Sequence, residues 1–212
     1  VGSDEEIDLN NPAYFENREL SSFKFNLRVL SQARNKKHPL LERLMFLLIF
    51  SSNLDEFFEI RVSGLRKQLD FGRQRPGPDG QYPEQVLKVI HLQVKDALAE
   101  QYKILNEDLL PNLAAENIHF LPRHAWNDQL KKWTRDYFDE EVQPVVSPLG
   151  LDPAHPFPRL VNKSLNFILA LNGKDAFGRQ SGLAIVPAPR SLPRLIKVPV
   201  EIAPEGDNFI FL

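Results

Sequence analysis

The stretch Phe46-Leu47-Leu48-Ile49-Phe50-Ser51-Ser52-Asn53-Leu54-Asp55-Glu56-Phe57-Phe58 decides how the first half of the chain folds. On a helix advancing about 100° per residue, one apolar stripe runs Leu40, Leu44, Leu47, Ser51, Leu54, Phe58, Val62, Leu65 and Leu69. A second apolar face holds Phe46, Ile49, Phe50, Phe57 and Ile60, and Asn53 lies in its middle. A helix apolar on two faces belongs at the centre of a bundle, covered on both sides. An amide among Phe and Ile must find hydrogen-bond partners or cost roughly 1–3 kcal/mol. Two arrangements meet that demand. The amide ties down a nearby loop backbone, or it faces a planar polar ligand, since an amide offers a donor and an acceptor side by side as an adenine edge does.

Working outward, Ser21 or Ser22 can cap a preceding helix that carries Phe23, Leu27, Leu30 and Ala33. Lys36-Lys37-His38 is a polar break, and Pro39 suits the first turn of the central helix, which runs to about Leu69. Arg75-Pro76-Gly77-Pro78-Asp79-Gly80 is a loop. Pro83 opens a third helix with Val86, Ile90, Val94, Ala97, Gln101, Ile104 and Leu105 on one side; Pro111 marks a break or the first turn of a short fourth helix. Short connections between such helices give an antiparallel bundle.

The pattern changes after Asn117. Asn127 can cap a helix containing Leu130, Trp133, Tyr137 and Phe138, after which proline becomes frequent. Alternation of Leu165, Phe167, Leu169 and Leu171 predicts a strand over 164–171, paired as a hairpin with a second over 181–186 across a turn-rich 173–180. Leu195–Val200 and Phe209–Leu212 read as further strands. The expected class is mainly α, then α+β: a disordered leader over 1–11, a helical N-terminal domain over 12–116, and an incomplete α+β domain with antiparallel strands over 117–212. The chain stops inside the strand-like Asn208-Phe209-Ile210-Phe211-Leu212, so a longer parent protein is expected.

Composition narrows the chemistry. A net charge of −2 gives no global attraction to nucleic acid, and aromatic residues do not interleave with the basic ones. Without cysteine there is no thiol nucleophile, disulfide or thiolate metal site. No apolar run reaches membrane-spanning length, and the acidic start (Asp4, Glu5, Glu6, Asp8) lacks the core of a secretory signal. A cytoplasmic location follows as the expectation, compatible with peripheral contact at a membrane.

Other candidate groups read as structural. Asp55, Glu56 and Glu59 share one side of the helix, where they could serve a divalent cation or acid–base work; without a histidine and with Arg66 near, a solvated or salt-bridged face is expected. His38, His91, His119, His124 and His155 show neither zinc spacing nor a nucleophile arrangement, although prolines on either side of His155 hold its loop rigid. Arg61, Arg66, Lys67, Arg73 and Arg75 cluster in sequence as a helix end that would attract polyanions only locally. There is no glycine-rich phosphate loop.

Several motifs, in order, carry a family resemblance: Asn17-Arg18-Glu19-Leu20-Ser21, Phe25-Asn26-x-Arg28-Val29-Leu30, Pro39-Leu40-Leu41-Glu42-Arg43-Leu44 and Ser51-Ser52-Asn53-Leu54-Asp55-Glu56-Phe57-Phe58. They continue with Ser147-Pro148-Leu149, Asp152-Pro153-Ala154-His155-Pro156-Phe157-Pro158 and Asn162-Lys163-Ser164-Leu165-Asn166. The chain resembles the start of polyphosphate kinase of the phosphohistidine type, over nearly everything beyond the leader. One departure is Ser22-Phe23, where the family often has Trp after Glu-Leu-Ser.

The resemblance implies a helical N-terminal domain and part of a head domain, with two catalytic domains of phospholipase-D-like fold following in the parent. It implies reversible transfer of the terminal phosphoryl of ATP to inorganic polyphosphate. It assigns Asn53 to the ATP base and the head domain to dimerisation, hence a homo-oligomer (dimer or tetramer). The nucleophilic histidine and the Mg2+-site arginines belong to the later domains, so no catalytic residue is expected here and the piece alone is expected to be inactive. The competing expectation is a helical interaction or dimerisation module without a nucleotide role. Binding to nucleic acid ranks last.

Overall fold

The computed structural model describes residues 8–72, 75–151, 156–173 and 182–212. Two compact units meet in sequence between Glu116 and Asn117. Most of the leader, Arg73, His155 and residues 174–180 of the turn expected over 173–180 lie outside the described residues, as does Ser181.

The first unit is helical. Helix α1 (Arg18–Arg34) begins earlier than the serines suggest, because Asn17 is its cap: its side-chain oxygen accepts from Glu19 N and Leu20 N, both at 3.1 Å. Such a cap contributes about 1 kcal/mol, and the Asn17 amide nitrogen also donates to Asp79 Oδ2 at 3.0 Å, tying the helix start to the loop before α4. Helix α2 (Leu40–Glu56) opens after Pro39 and runs without interruption through a π-helical turn (Phe57–Val62) into α3 (Ser63–Asp70). Helix α4 (Pro83–Ile104) passes through a second π turn (Leu105–Leu109) into α5 (Leu110–Ala115). Pro111 therefore opens a short helix directly, with no break; the wider turn before it absorbs the hydrogen bond that proline cannot donate.

Helices α1 and α2 are antiparallel. The Arg43 side chain, at the start of α2, meets Ala33 at the end of α1, while Phe50, further along, meets Asn26, further back. The core gathers Phe23, Leu30, Leu47, Phe50, Leu54, Phe57, Ile90 and Val94, each buried. The expected face of α4 is the buried one, from Val86 through Ile104. Phe23, in the Ser22-Phe23 step that departs from the expected motif, is 1% exposed and packs on Phe57 with ring centroids 5.7 Å apart.

The central stripe needs one correction. Phe57 and not Phe58 is buried (7% against 41% exposed), and the next buried position is Val62, five residues on. A π turn spends more residues per revolution than an α turn, so the α-helical register assumed from the sequence slips at that point. The second apolar face divides as well: Phe50 and Phe57 enter the core, whereas Ile49 and Ile60 stay exposed.

The second unit is α+β. Asn127 caps α6 (Asp128–Tyr137), accepting from Leu130 N at 2.8 Å, and a third π turn follows (Phe138–Val142). One sheet has the order β2 (Leu149–Leu151), β4 (Leu183–Pro187), β3 (Asn166–Ala170), all antiparallel. This contains the expected pair, with Ile168 opposite Ile185. The other sheet has the order β1 (Ile118–Phe120), β6 (Asp207–Phe211), β5 (Leu195–Lys197), with β1 parallel and β5 antiparallel to β6. Pairing of β5 extends through Val198 N to Asn208 O at 2.8 Å and then stops, because Pro199 has no N–H to give. Leu130, Ile196, Val198 and Ile210 form the core of this unit beneath Trp126, Trp133 and Tyr137.

Among the described residues, no helix is long and apolar enough to cross a membrane.

Candidate functional site

Asn53 finds its partner in another side chain, not in a loop. Its Nδ2 donates to Asn26 Oδ1 at 3.1 Å. Asn26 is itself 5% exposed, at a position in the buried stripe of α1 between Phe23 and Leu30. Its Nδ2 donates in turn to the Phe50 carbonyl at 3.1 Å. Two amides from facing helices and one backbone oxygen thus form a short chain of hydrogen bonds running from the core outward.

The outer end of that chain opens into a depression of about 260 Å3 between α1 and the α2–π-turn segment. Ser22 and Phe25 line it from α1; Asn53, Glu56, Ile60 and Arg61 line it from the other side, with Asn26 and Phe57 at its floor. The π turn contributes the far part of this wall, with Ile60 and Arg61 about two turns along from Asn53. Such turns recur at functional sites, where they re-aim side chains. Phe25 is held at the rim with the Arg28 guanidinium 5.4 Å from its ring centroid. A half-buried amide flanked by an exposed aromatic ring, an aliphatic side chain, a guanidinium and a carboxylate suits a flat, polar-edged ligand.

The acidic cluster does not assemble. Glu56 faces the depression, Asp55 and Glu59 are exposed, and no group of three or more His, Asp or Glu capable of holding a metal ion occurs among the described residues. Of the basic residues, Arg61 reaches the depression, while Arg66, Lys67 and Arg75 are exposed elsewhere. The histidines scatter: His38 meets Gln32 Oε1 at 3.1 Å and packs on Phe46, His91 and His124 are exposed, and His119 sits in β1.

Sequence reasoning gave no role to Asn26, Phe25 or Arg61 in this site. The signal for Asn26 was present, since Phe23, Asn26, Leu30 and Ala33 repeat at three- and four-residue spacing and make it a buried polar position. A second hollow, of about 730 Å3 in the second unit, has Arg123, Lys131, Lys132 and Arg135 at its rim over Ile196 and Ile210. Its lysines are already engaged, Lys131 with Asp128 and Lys132 with Asp136.

Comparison with known proteins places both units. Residues 15–121 match the family model of the polyphosphate kinase N-terminal domain, and residues 129–212 match that of the polyphosphate kinase middle domain. A polyphosphate kinase of Pseudomonas aeruginosa is 55% identical over 96% of this chain and 30% of its own length. One from Xylella fastidiosa is 50% identical over 99% of this chain and 30% of its own. The crystal structure of polyphosphate kinase from Porphyromonas gingivalis superposes with a TM-score of 0.70 at 25% identity, covering 92% of this chain and 28% of that one. The chain thus spans under a third of the length of the relatives it matches.

Proposed function

The chain belongs to the polyphosphate kinase family, and from that premise we propose that it is the nucleotide-base cover and part of the oligomer scaffold of an ATP:polyphosphate phosphotransferase. The parent enzyme moves the terminal phosphoryl of ATP reversibly onto inorganic polyphosphate. A phosphohistidine divides the transfer into two displacements. Mg2+ and basic residues offset the charge of the moving group. In this reading the nucleophile and the metal-binding groups belong to parts of the enzyme outside this chain, which works in the cytoplasm as a homo-oligomer.

The observation that carries the reading is the amide of Asn53 at the mouth of a depression large enough for a base, with the Phe25 ring and Ile60 as its apolar sides. Replacing Asn53 by Ala in the full-length enzyme removes the polar contact to the base and nothing that touches the reacting phosphoryl. We expect the KM for ATP to rise about tenfold, on the scale of one lost hydrogen-bonding contact of about 1–3 kcal/mol, with kcat nearly kept and only a modest loss of stability as Asn26 Oδ1 loses its donor. An unchanged KM with a collapsed melting temperature would mean that Asn53 is only a structural amide.

A second reading rests on Leu41, Met45 and Leu48, which form an exposed stripe along α2, each more than half accessible. They suit a helical module that docks another domain. Polar substitution of Met45 would then change assembly and leave the KM for ATP alone, the reverse of the effect expected at Asn53.

A further inference from the structure

We infer that Asn26 is a positioning residue that fixes which way the Asn53 amide faces and so makes the site select a base bearing an exocyclic amino group over one bearing an oxo group. The inference rests on the reading that Asn53 meets the base, and it adds the direction of that contact.

A side-chain amide has an oxygen that only accepts and a nitrogen that only donates, so its orientation is set by what its neighbours require. The Phe50 carbonyl at the inner end can only accept. It therefore demands the nitrogen of Asn26, which it receives at 3.1 Å. That leaves Asn26 Oδ1 turned toward α2, where it can only accept, and it receives Asn53 Nδ2 at 3.1 Å. Each step forces the next. At the outer end Asn53 Oδ1 remains, and among the described residues nothing donates to it. One hydrogen of Asn53 Nδ2 is also left over for a ring nitrogen.

Reversing Asn53 would set its oxygen against Asn26 Oδ1, two acceptors in contact. Reversing both amides would set Asn26 Oδ1 against the Phe50 carbonyl in the 5%-exposed interior, where water cannot relieve the clash. The backbone carbonyl, which cannot flip, is thus read out at the surface as a fixed acceptor. Adenine presents an amino donor to it. Hypoxanthine and guanine present a carbonyl at the same ring position and would be repelled.

The test uses the full-length enzyme with ATP, inosine triphosphate and purine-riboside triphosphate, which carry an amino group, an oxo group and hydrogen at that position. Wild type should follow the order ATP, purine riboside, inosine in kcat/KM, with ATP ahead of inosine by about tenfold or more, the scale of discrimination by a fixed polar contact. Asn26→Ala frees the Asn53 amide to turn and should cut that ratio to about threefold or less, with the KM for polyphosphate unmoved. A wild-type ratio retained in Asn26→Ala overturns the relay. Inosine equal to or better than purine riboside in wild type overturns it as well, and that measurement needs no variant to fold. The underlying site stands or falls separately: if Asn53→Ala changes neither the KM for ATP nor the ratio, the base is not there at all.

Discussion

The guanidinium of Arg43 donates through Nε to the carbonyl oxygen of Ala33 at 2.8 Å, so that a charge near the start of one helix closes the end of the helix before it. Ala33 is one residue from the end of α1, where carbonyls lack intrahelical partners. The other arm of the fork pairs with Asp108 in the second π turn. One side chain thus joins α1, α2 and the end of α4 at a point where Arg43 is 5% exposed. This explains a charged residue inside a mainly apolar core: its five donors and fixed planar shape serve two acceptors from two elements at once.

Arg43→Met keeps the volume and removes the fork. It strands the Ala33 carbonyl, while the Asp108 carboxylate, about a quarter accessible, keeps the Asn112 Nδ2 donor at 2.8 Å and recovers part of its loss from water. The expected cost is about 2–4 kcal/mol, below the full penalty for breaking a buried pair. Asp108→Asn, which keeps an acceptor toward Arg43, should cost about 1 kcal/mol. Urea unfolding of the two variants checks both values; equal, negligible losses would remove Arg43 from the account of the core.

Glu84 and Lys88 form a pair one turn apart on α4, 2.8 Å between charged atoms. The hydrogen bond from Lys88, and then its charge, hold the Glu84 carboxyl below the ordinary carboxylate range. A folded-state value below the unfolded one means any stabilisation is present above the unfolded value and lost as pH falls through the folded one. The pair stands in water, so the effect on stability should be undetectable. The titration itself should respond: in Lys88→Met, the Glu84 midpoint followed by NMR moves upward. A midpoint that stays put would show that the two side chains do not meet in solution.

Much of the helical unit was legible because its signals are local. Val86, Ile90, Val94 and Ala97 repeat with the helix period, and that face is the buried one. Asn127 precedes its helix as a cap should. What escaped depends on distant partners. The strand β1 is only Ile118–Phe120, and it exists because Asp207–Phe211 lies beside it, far away in sequence. Likewise Leu149–Leu151 pairs with Ala184 and its neighbours and has no pattern of its own. The π turn has no residue signature; it is visible only in the five-residue step between Phe57 and Val62, which both face the core. The site was half legible for the same reason. Asn53 stood out as a polar residue on an apolar face, but its partner Asn26 belongs to another helix, so the direction of the amide could not be read from either segment.

Gly206 tests the joint between β1 and β6. Its φ of +74° is a left-handed conformation, and an added Cβ would overlap the Asn117 carbonyl oxygen and lie 2.9 Å from the Asn117 Cβ. That same oxygen accepts from Asp207 N at 2.8 Å, the bond with which the parallel pairing begins. Asn117 is also at positive φ, so it has little room to yield. Gly206→Ala should therefore cost about 2 kcal/mol or more, from backbone strain and displaced pairing together. Hydrogen exchange should quicken at Asp207 and Leu121, whose amides donate across this joint to the Asn117 and Phe209 carbonyls, before it does in α1. Uniform protection, unchanged from wild type, would show that the turn tolerates a side chain.

The π turn at Phe57–Val62 makes the sharpest contrast between two single-residue deletions. Phe57 and Val62 are five residues apart and both buried, whereas Ile60 between them is 56% exposed. Removing Ile60 shortens the step to four, the α-helical spacing, so Leu47, Phe50 and Leu54 before it and Leu65 after it all keep the core face. The variant should fold with a loss of about 1–2 kcal/mol, on the scale of most single changes. The wall beside Asn53 would be rebuilt, however, and in the full-length enzyme the KM for ATP should rise at least as much as in Asn53→Ala. Leu48, also exposed, lies in the regular part of α2. Deleting it turns everything beyond by about 100°, which swings Phe50, Leu54 and Phe57 off the core together. That variant should not fold. If the two deletions behave alike, the extra residue in the turn is not what reconciles the core with the site, and the register of this helix must be set some other way.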